Sequence, residues 1–301
     1  MQPRGGDTHV RQPQPGTHAL PERPLVSVMV PVHDVERYLP QCVDSILAQD
    51  YDDLDVVLLD DGSTDGCAAL CDTYAAQDPR VRAVHVTNGG LATARNRCLD
   101  LARGDLLLFV DADDWIEPNT VSTLVKTMLQ TEADIVSCRY TTEWCDHATT
   151  PATSTETHVL EGPDILRGLL KDGKMAIEAW GKLFRPHLFD HVRYPDGLLY
   201  EDIRTTHRIC MAADRAVCIP DVLFHYRMRE GTIARSHDAK NLVEYWHATL
   251  RQHNDAISVD DSLHDAMVRR CIYAIMRVWG WWITVPKDGR RQHLSVTRAV
   301  R

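Results

Sequence analysis

Three carboxylates, Asp111, Asp113 and Asp114, follow directly on the apolar run Leu106-Leu-Leu-Phe-Val110. In a still-extended chain, side chains two residues apart point the same way. Asp111 and Asp113 could therefore share one hard divalent cation, with the oxygens of a substrate phosphate completing its shell. The same acids could instead cap the next helix, because Pro118, Asn119 and Thr120 precede Val121, Leu124, Val125 and Met128 at helical spacing. Spacing alone leaves the two readings level. A second acidic pair, Glu201-Asp202, opens a predicted helix, where the helix dipole favours acids without any catalytic duty.

Elements must hold these groups in place. Leu106 to Val110 is too short for a lone helix and reads as a strand buried on both faces of a parallel sheet. In open α/β sheets ligands bind beyond the carboxyl ends of such strands, where the acids stand. Upstream, Leu25 to Pro31 forms a first strand with Val32-His-Asp34 as its turn, and a helix runs to Gln49. Asp55 to Asp61 is a second acid-tipped strand, and Gly62-Ser-Thr-Asp-Gly66 leads into a helix carrying Cys67, Leu70, Cys71 and Tyr74. Val81 to Val86, the turn Asn88-Gly-Gly90 and a helix from Leu91 to Ala102 complete four strand–helix alternations, the pattern of right-handed βαβ units. No glycine-rich loop follows the first strand, which speaks against the usual dinucleotide and triphosphate loops.

The second half is sparser in signal. A helix from Thr120 to Leu129 and a strand from Ile135 to Tyr140 precede a long loop, Thr141 to His158. Trp180-Gly-Lys-Leu-Phe-Arg185 and two short strands, Ala216 to Ile219 and Leu223 to Tyr226, flank the helix opened by Tyr200 to Ile203. Two helices follow Asn241. The second carries Ile272, Ile275, Met276, Trp279 and Trp282 beside Arg277, a pattern that suits core or subunit contact better than a membrane surface.

With 301 residues, 44% of them hydrophobic, the chain can bury a sizeable core. A net charge of -10 argues against bulk nucleic-acid binding, so an anionic substrate would need a metal or local basic residues. Nine cysteines without a C-x-x-C, several on apolar helix faces, read as reduced thiols in a cytoplasmic protein. No run reaches membrane-spanning length and no export signal opens the sequence. Met1 to Arg23, rich in Pro, Gly, Gln and Thr, is expected to lie outside the fold.

Five stretches occur in order: Val28-Met-Val-Pro-Val-His-Asp34, Leu59-Asp-Asp-Gly-Ser-Thr-Asp65, Asn88-Gly-Gly-Leu-Ala-Thr-Ala-Arg-Asn96, Phe109-Val-Asp-Ala-Asp-Asp-Trp115 and Tyr200-Glu-Asp202. Together they resemble the motifs of family 2 glycosyltransferases with the GT-A fold, over Pro24 to Ser236. The resemblance implies an α/β domain with a mostly parallel central sheet flanked by helices and followed by a C-terminal helical appendage. The expected divisions are a tail at 1–23, the GT-A domain at 24–236 and a helical extension at 237–301. The implied reaction is inverting transfer of a sugar from a nucleotide-diphosphate sugar, with Mg or Mn.

Residue roles follow from the same resemblance. Pro31 and His33 would line the base pocket with Asp60 and Asp61, Asp61 accepting a hydrogen bond from the base. The family commonly has Tyr at position 33 and Asn at 34, so His33 keeps a flat ring that stacks more weakly. Arg95, Asp111, Ala112, Arg227 and Arg229 would bind the rest of the donor, and a mobile basic loop through Gly231-Thr232 would close over its diphosphate. Asp113, Asp111 and His225 are the implied metal ligands. Trp180, Lys182 and Glu201 fall on the acceptor side, although a Trp is more commonly buried, and Asp202 is the implied general base.

The implied acceptor is a glycan, lipid-linked or other hydroxyl compound, with no nucleic acid. The C-terminal helices would supply any peripheral membrane contact, at the inner face, or oligomer contact. Two other classes make different demands on the sequence. A nucleotidyltransferase should show a Gly- and Arg/Lys-rich loop after the first strand, and a non-catalytic nucleotide-sugar-binding domain should have lost acids that Asp111, Asp113 and Asp202 retain.

Overall fold

Period-two alternation along strand β1 (Val26–Val32) sends Val26, Val28, Val30 and Val32 into one apolar layer and Met29 into the other. A strand covered on both faces has no polar side to expose, which is why its sequence is apolar almost throughout. The computed structural model describes residues 19–151, 155–229 and 239–284. Strands β2 (Leu54–Asp60), β3 (Val81–His85) and β4 (Leu106–Phe109) join β1 in the all-parallel order β3-β2-β1-β4. Helices α1 (Leu39–Leu47), α2 (Cys67–Gln77) and α3 (Leu91–Leu101) make the crossovers. Since β2 lies on one side of β1 and β4 on the other, strand order reverses at β1. The loops leaving β1 and β4 diverge at such a reversal and open a crevice.

Strand β1 runs on through Pro31 and Val32, which pair with Leu59 and Asp60. Its ladder with β4 ends at Met29, so Pro31, with no N–H to donate, lies where that side has no partner.

Beyond β4 the sheet is mixed. Strand β9 (Lys182–Phe184) runs antiparallel between β4 and β6 (Ile135–Glu143), and β10 (Arg215–Arg227) is parallel to β6. The two short strands expected at Ala216 to Ile219 and Leu223 to Tyr226 are parts of β10. Its register shifts between Cys218 and Val222, around Pro220, which cannot donate to a ladder. The expected loop after Tyr140 is shorter, because β6 continues to Glu143 and β7 (Ala148–Thr149) folds back on it. Besides β7, three elements were not anticipated: β5 (Trp115–Ile116), β8 (His158–Glu161) and α5 (Pro163–Leu170). The first two pair antiparallel with β10.

Helices α4 (Thr120–Thr131) and α6 (Glu201–Met211) cover the second half, and α7 (Ala239–Val259) and α8 (His264–Thr284) form a hairpin against α6. Polar contacts tie α7 down: Tyr200 reaches Asn241, Arg204 pairs with Glu244 at 3.0 Å, and Gln252 donates to the Ile203 carbonyl at 3.0 Å. The expected boundary at 236 falls among residues outside the described ones. So do residues 1–18, but Leu20 packs on the core and Arg23 pairs with Asp53, so part of the expected tail is ordered. On α8, Ile272, Ile275, Met276 and Trp279 face outward rather than into the core, while the Trp282 side chain lies outside the described residues. Among the described residues no helix is long and apolar enough to cross a membrane.

Candidate active site

The chain turns at the end of β4 instead of staying extended. The Asp114 N–H donates to the Asp111 carbonyl at 3.0 Å, with Ala112 at the bend and buried in the apolar layer. Asp111 remains close enough to disfavour the charge on Asp113: burial first, then Asp111, raises Asp113 above the ordinary carboxylate range. Asp114 is 1% exposed, and burial, then Asp113 and Asp111, pushes it well up.

Arginines converge on this turn. Arg95, on the second turn of α3 and 2% exposed, donates to Asp111 at 2.9 Å and to Glu201. Its guanidinium also lies against the rings of Phe109 and Tyr194. Burial opposes its charge, but Asp111 and Glu201 outweigh burial and hold it cationic. One buried fork thus joins the strand-end acids to the first residue of α6. Arg229 donates to Asp113 at 2.6 Å. Arg227 donates from its Nε to the Asp113 carbonyl at 2.8 Å and from its backbone N–H to Asp114 at 2.8 Å. Tyr38 and Trp115 supply aromatic faces under these cations.

Asp202 faces the same cluster from the start of α6. Its carboxylate accepts the Ile203 N–H at 2.7 Å, and burial, then Glu178, pushes it up to about 6 against the pull of Arg95. Burial raises Glu201 as well, by more than Arg95 lowers it. Just before the pair, Tyr200 adopts φ 58°, a left-handed conformation that is uncommon for a bulky residue and is kept only where surroundings impose it. Its contacts with Asn241 and Tyr245 of α7 are those surroundings.

On the other side of the crevice, Asp61 is 3% exposed and accepts the Gly89 and Gly90 N–H groups at 2.9 and 2.8 Å. Asp60 accepts from Ser63 and meets His85 at 3.0 Å. Gly62, at φ +69°, stands where a Cβ would come within 2.7 Å of the Asn88 nitrogen, so the two loops touch only because it is glycine. The half-exposed His33 ring follows Pro31 and meets Asn88 at 3.1 Å.

The family model described as Glycosyl transferase family 2 matches residues 27–185. Glycosyltransferase GlyG of Streptococcus pneumoniae is 33% identical over 223 residues, covering 70% of this chain and 73% of GlyG. The chain belongs to glycosyltransferase family 2. Glycosyltransferase GlyA of the same organism is also 33% identical over 70% of this chain, which spans only 31% of GlyA's length. Among solved structures, Staphylococcus aureus TarS 1–349 with UDP-GlcNAc superposes with a TM-score of 0.70 at 20% identity, over 92% of this chain and 81% of that one. The Pyrobaculum calidifontis mannosyltransferase PcManGT, with GDP-Man and Mn2+, gives 0.56 at 22% identity, over 92% and 80%. The fold of this family 2 glycosyltransferase is accordingly GT-A.

Three expected roles meet obstacles in the structure. Trp180 is 3% exposed, stacked on Phe224 at 4.4 Å and flanked by Tyr140 and Tyr226, so it is core and does not present a face to an acceptor. Lys182 is fully buried in β9, donating to the Glu178 and Trp180 carbonyls, and burial lowers its pKa; it too is not an acceptor-side group. His225 stacks on Trp115, and its two ring nitrogens meet Glu143 at 2.8 Å and Glu117 at 2.7 Å, so both are already engaged by glutamates. Among the described residues no three His, Cys, Asp or Glu side chains converge on one metal position. Two hard carboxylates, Asp111 and Asp113, still match a Mg or Mn site that substrate phosphates complete.

Gly231 and Thr232, the expected basic loop, lie outside the described residues. Sequence reasoning missed Tyr38, Asn88 and Tyr194 as parts of the site. Asn88 could have been found as the residue before two glycines in a turn, whereas nothing local marks Tyr194.

Proposed function

We propose that this glycosyltransferase moves a sugar from a nucleotide-diphosphate sugar to an acceptor hydroxyl with inversion, using Mg or Mn. The observation that carries the reading is the buried Arg95 fork, which ties Asp111 at the end of β4 to Glu201 beside Asp202. Asp111 and Asp113 would hold the cation, which when bound offsets charge on the diphosphate leaving group. His33, Pro31, Asp60 and Asp61 would surround the base, and Arg227 and Arg229 would pass from the acids to the diphosphate. Ala112 would follow the donor through its backbone alone. Asp202 takes the proton of the acceptor hydroxyl as that oxygen bonds to the anomeric carbon, and the bond from that carbon to the diphosphate oxygen breaks with its electron pair. Attack from the face opposite the leaving group inverts the centre. Asp202 suits this task because its raised pKa makes it a stronger base than an exposed Asp while leaving it ionised at neutral pH.

Two relatives from Pasteurella multocida, a chondroitin synthase and a hyaluronan synthase of which this chain spans 12% each, favour an acceptor that is a growing polysaccharide. Seven buried thiols, none of them bridged, suit the cytoplasmic side of the membrane, where sugar nucleotides are made. The test is release of nucleoside diphosphate from a panel of UDP- and GDP-sugars with Mn, Mg or chelator. Metal-dependent release that the wild type shows and Asp113→Ala lacks is the expected result. Release that persists in chelator would end the metal assignment. Donor binding with no release or transfer for any acceptor would favour the non-catalytic class.

A further inference from the structure

Helix α8 covers one of its faces and bares the other. Ala266, Met267, Ala274 and Val278 are buried, with Val278 and Trp281 packed against Leu242, Val243 and Trp246 of α7. On the opposite side Ile272, Ile275, Met276, Trp279 and Ile283 are 40–66% exposed. They recur at the helical period, so they form one stripe, about 17 Å long at the usual rise per residue. Six of the eleven large apolar side chains exposed among the described residues are on this helix, counting Tyr273, which makes it a patch rather than scatter.

Charge runs with the stripe. Helix α8 carries Arg269, Arg270 and Arg277 against one acid, Asp265, in a protein whose net charge is -10. Arg277 lies over the Tyr245 ring at 5.0 Å, on the flank of the helix rather than on its apolar stripe. We propose that α8 lies in the headgroup layer of an anionic lipid bilayer, with the five-residue stripe among the acyl chains and Arg269, Arg270 and Arg277 at the phosphates. Apolar stripe, a Trp at its edge and flanking cations are what such an interface binds. A second copy of the chain fits this face poorly, because two α8 stripes in contact would bring Arg269, Arg270 and Arg277 of both copies to one interface.

The stripe also has a position relative to the site. Val278 and Trp281 pack on the end of α7 that starts near Asn241, and Asn241 contacts Tyr200, the residue before Glu201-Asp202. The stripe faces away from α7, so α7 stands between it and the acid-bearing end of α6.

The experiment is co-sedimentation of the full chain with vesicles of equal parts phosphatidylglycerol and phosphatidylcholine, beside pure phosphatidylcholine vesicles, at low and high salt. Binding to the anionic vesicles, weakened by salt, and a loss of about tenfold or more in partitioning for the double variant Met276→Glu, Trp279→Glu are expected. Both side chains are exposed, so circular dichroism and transfer to a water-soluble acceptor stay as in the wild type. That control keeps a failed vesicle test separate from a failed transferase reading. Absence of binding to anionic vesicles, equal binding by the variant, or equal binding to neutral vesicles overturns the proposal. A dimer in sedimentation velocity that the variant loses, without vesicle binding, assigns the stripe to a second copy.

Discussion

Two acidic clusters meet at Arg95, and they are neutralised to different degrees. At the end of β4, Asp111 and Asp113 each have an arginine side chain within hydrogen-bond distance, and Arg227 adds its backbone N–H to Asp114. At the start of α6 only Glu201 has one, and Asp202 has a neighbouring backbone N–H. A countercharged cluster can exchange its arginines for a metal and a diphosphate at little electrostatic cost. Burial raises both acids of the second cluster, Glu201 in spite of its arginine and Asp202 with only a backbone N–H, so the proposed base is held nearer to protonation than an exposed Asp. The difference teaches that Arg95 can tie the two clusters together without suppressing the basicity of the second.

The largest expected break in this comparison is Asp202→Asn, which should lower turnover by roughly 10²–10⁴-fold while calorimetric donor affinity stays the same. Near-normal transfer in that variant would move the base to Glu201. Arg95→Met comes next: with Glu201 left buried and Asp111 without its arginine, urea denaturation should show a loss of about 3–5 kcal/mol. Arg95→Lys should recover only part of it, since one ammonium cannot serve both carboxylates as a fork does. An unchanged denaturation midpoint in Arg95→Met would mean the bridge does not tie the clusters.

Titration sharpens the contrast further. Turnover should fall as pH drops through about 6, the value to which burial pushes Asp202, because the protonated acid cannot act as base. For stability the sign is the reverse of the usual carboxylate. The folded pKa lies above the unfolded one, so the contribution of Asp202 is full below the ordinary Asp range and is lost as pH rises toward 6. Asp202→Asn should therefore melt higher than wild type above pH 6 and like it in acid; equal melting at all pH values would deny the burial effect. The smallest effect is reserved for Lys182→Met, which should leave transfer kinetics unchanged, and a raised acceptor KM would restore Lys182 to the acceptor side.

Much of the first half was legible because its signals are local. Buried parallel strands need apolar runs, and the acids that end β2 and β4 follow those runs directly in sequence. The second half was less so. Helix α5 had a proline at its first turn and Ile165, Leu166 and Leu169 at helical spacing, signals that are easily passed over beside a long polar stretch. Strand β5 has two residues and exists only because β10 is there to pair with it. The break predicted inside β10 at Pro220 became a bulge, since β6 holds the strand on both sides of the proline.

By itself, the sequence determined that β1 to β4 would be buried, that acids would stand at their carboxyl ends and that Gly62 would occupy a turn, for these depend on neighbours a few residues apart. Tertiary structure decided what each of those groups meets. It reversed the strand order at β1, bent the chain at Ala112 and gave Arg95 two acids 16 and 106 residues away. It also buried Trp180 and Lys182 and left the α8 stripe bare. Helical spacing shows that a helix has an apolar stripe, but whether that stripe is covered depends on which other elements reach it.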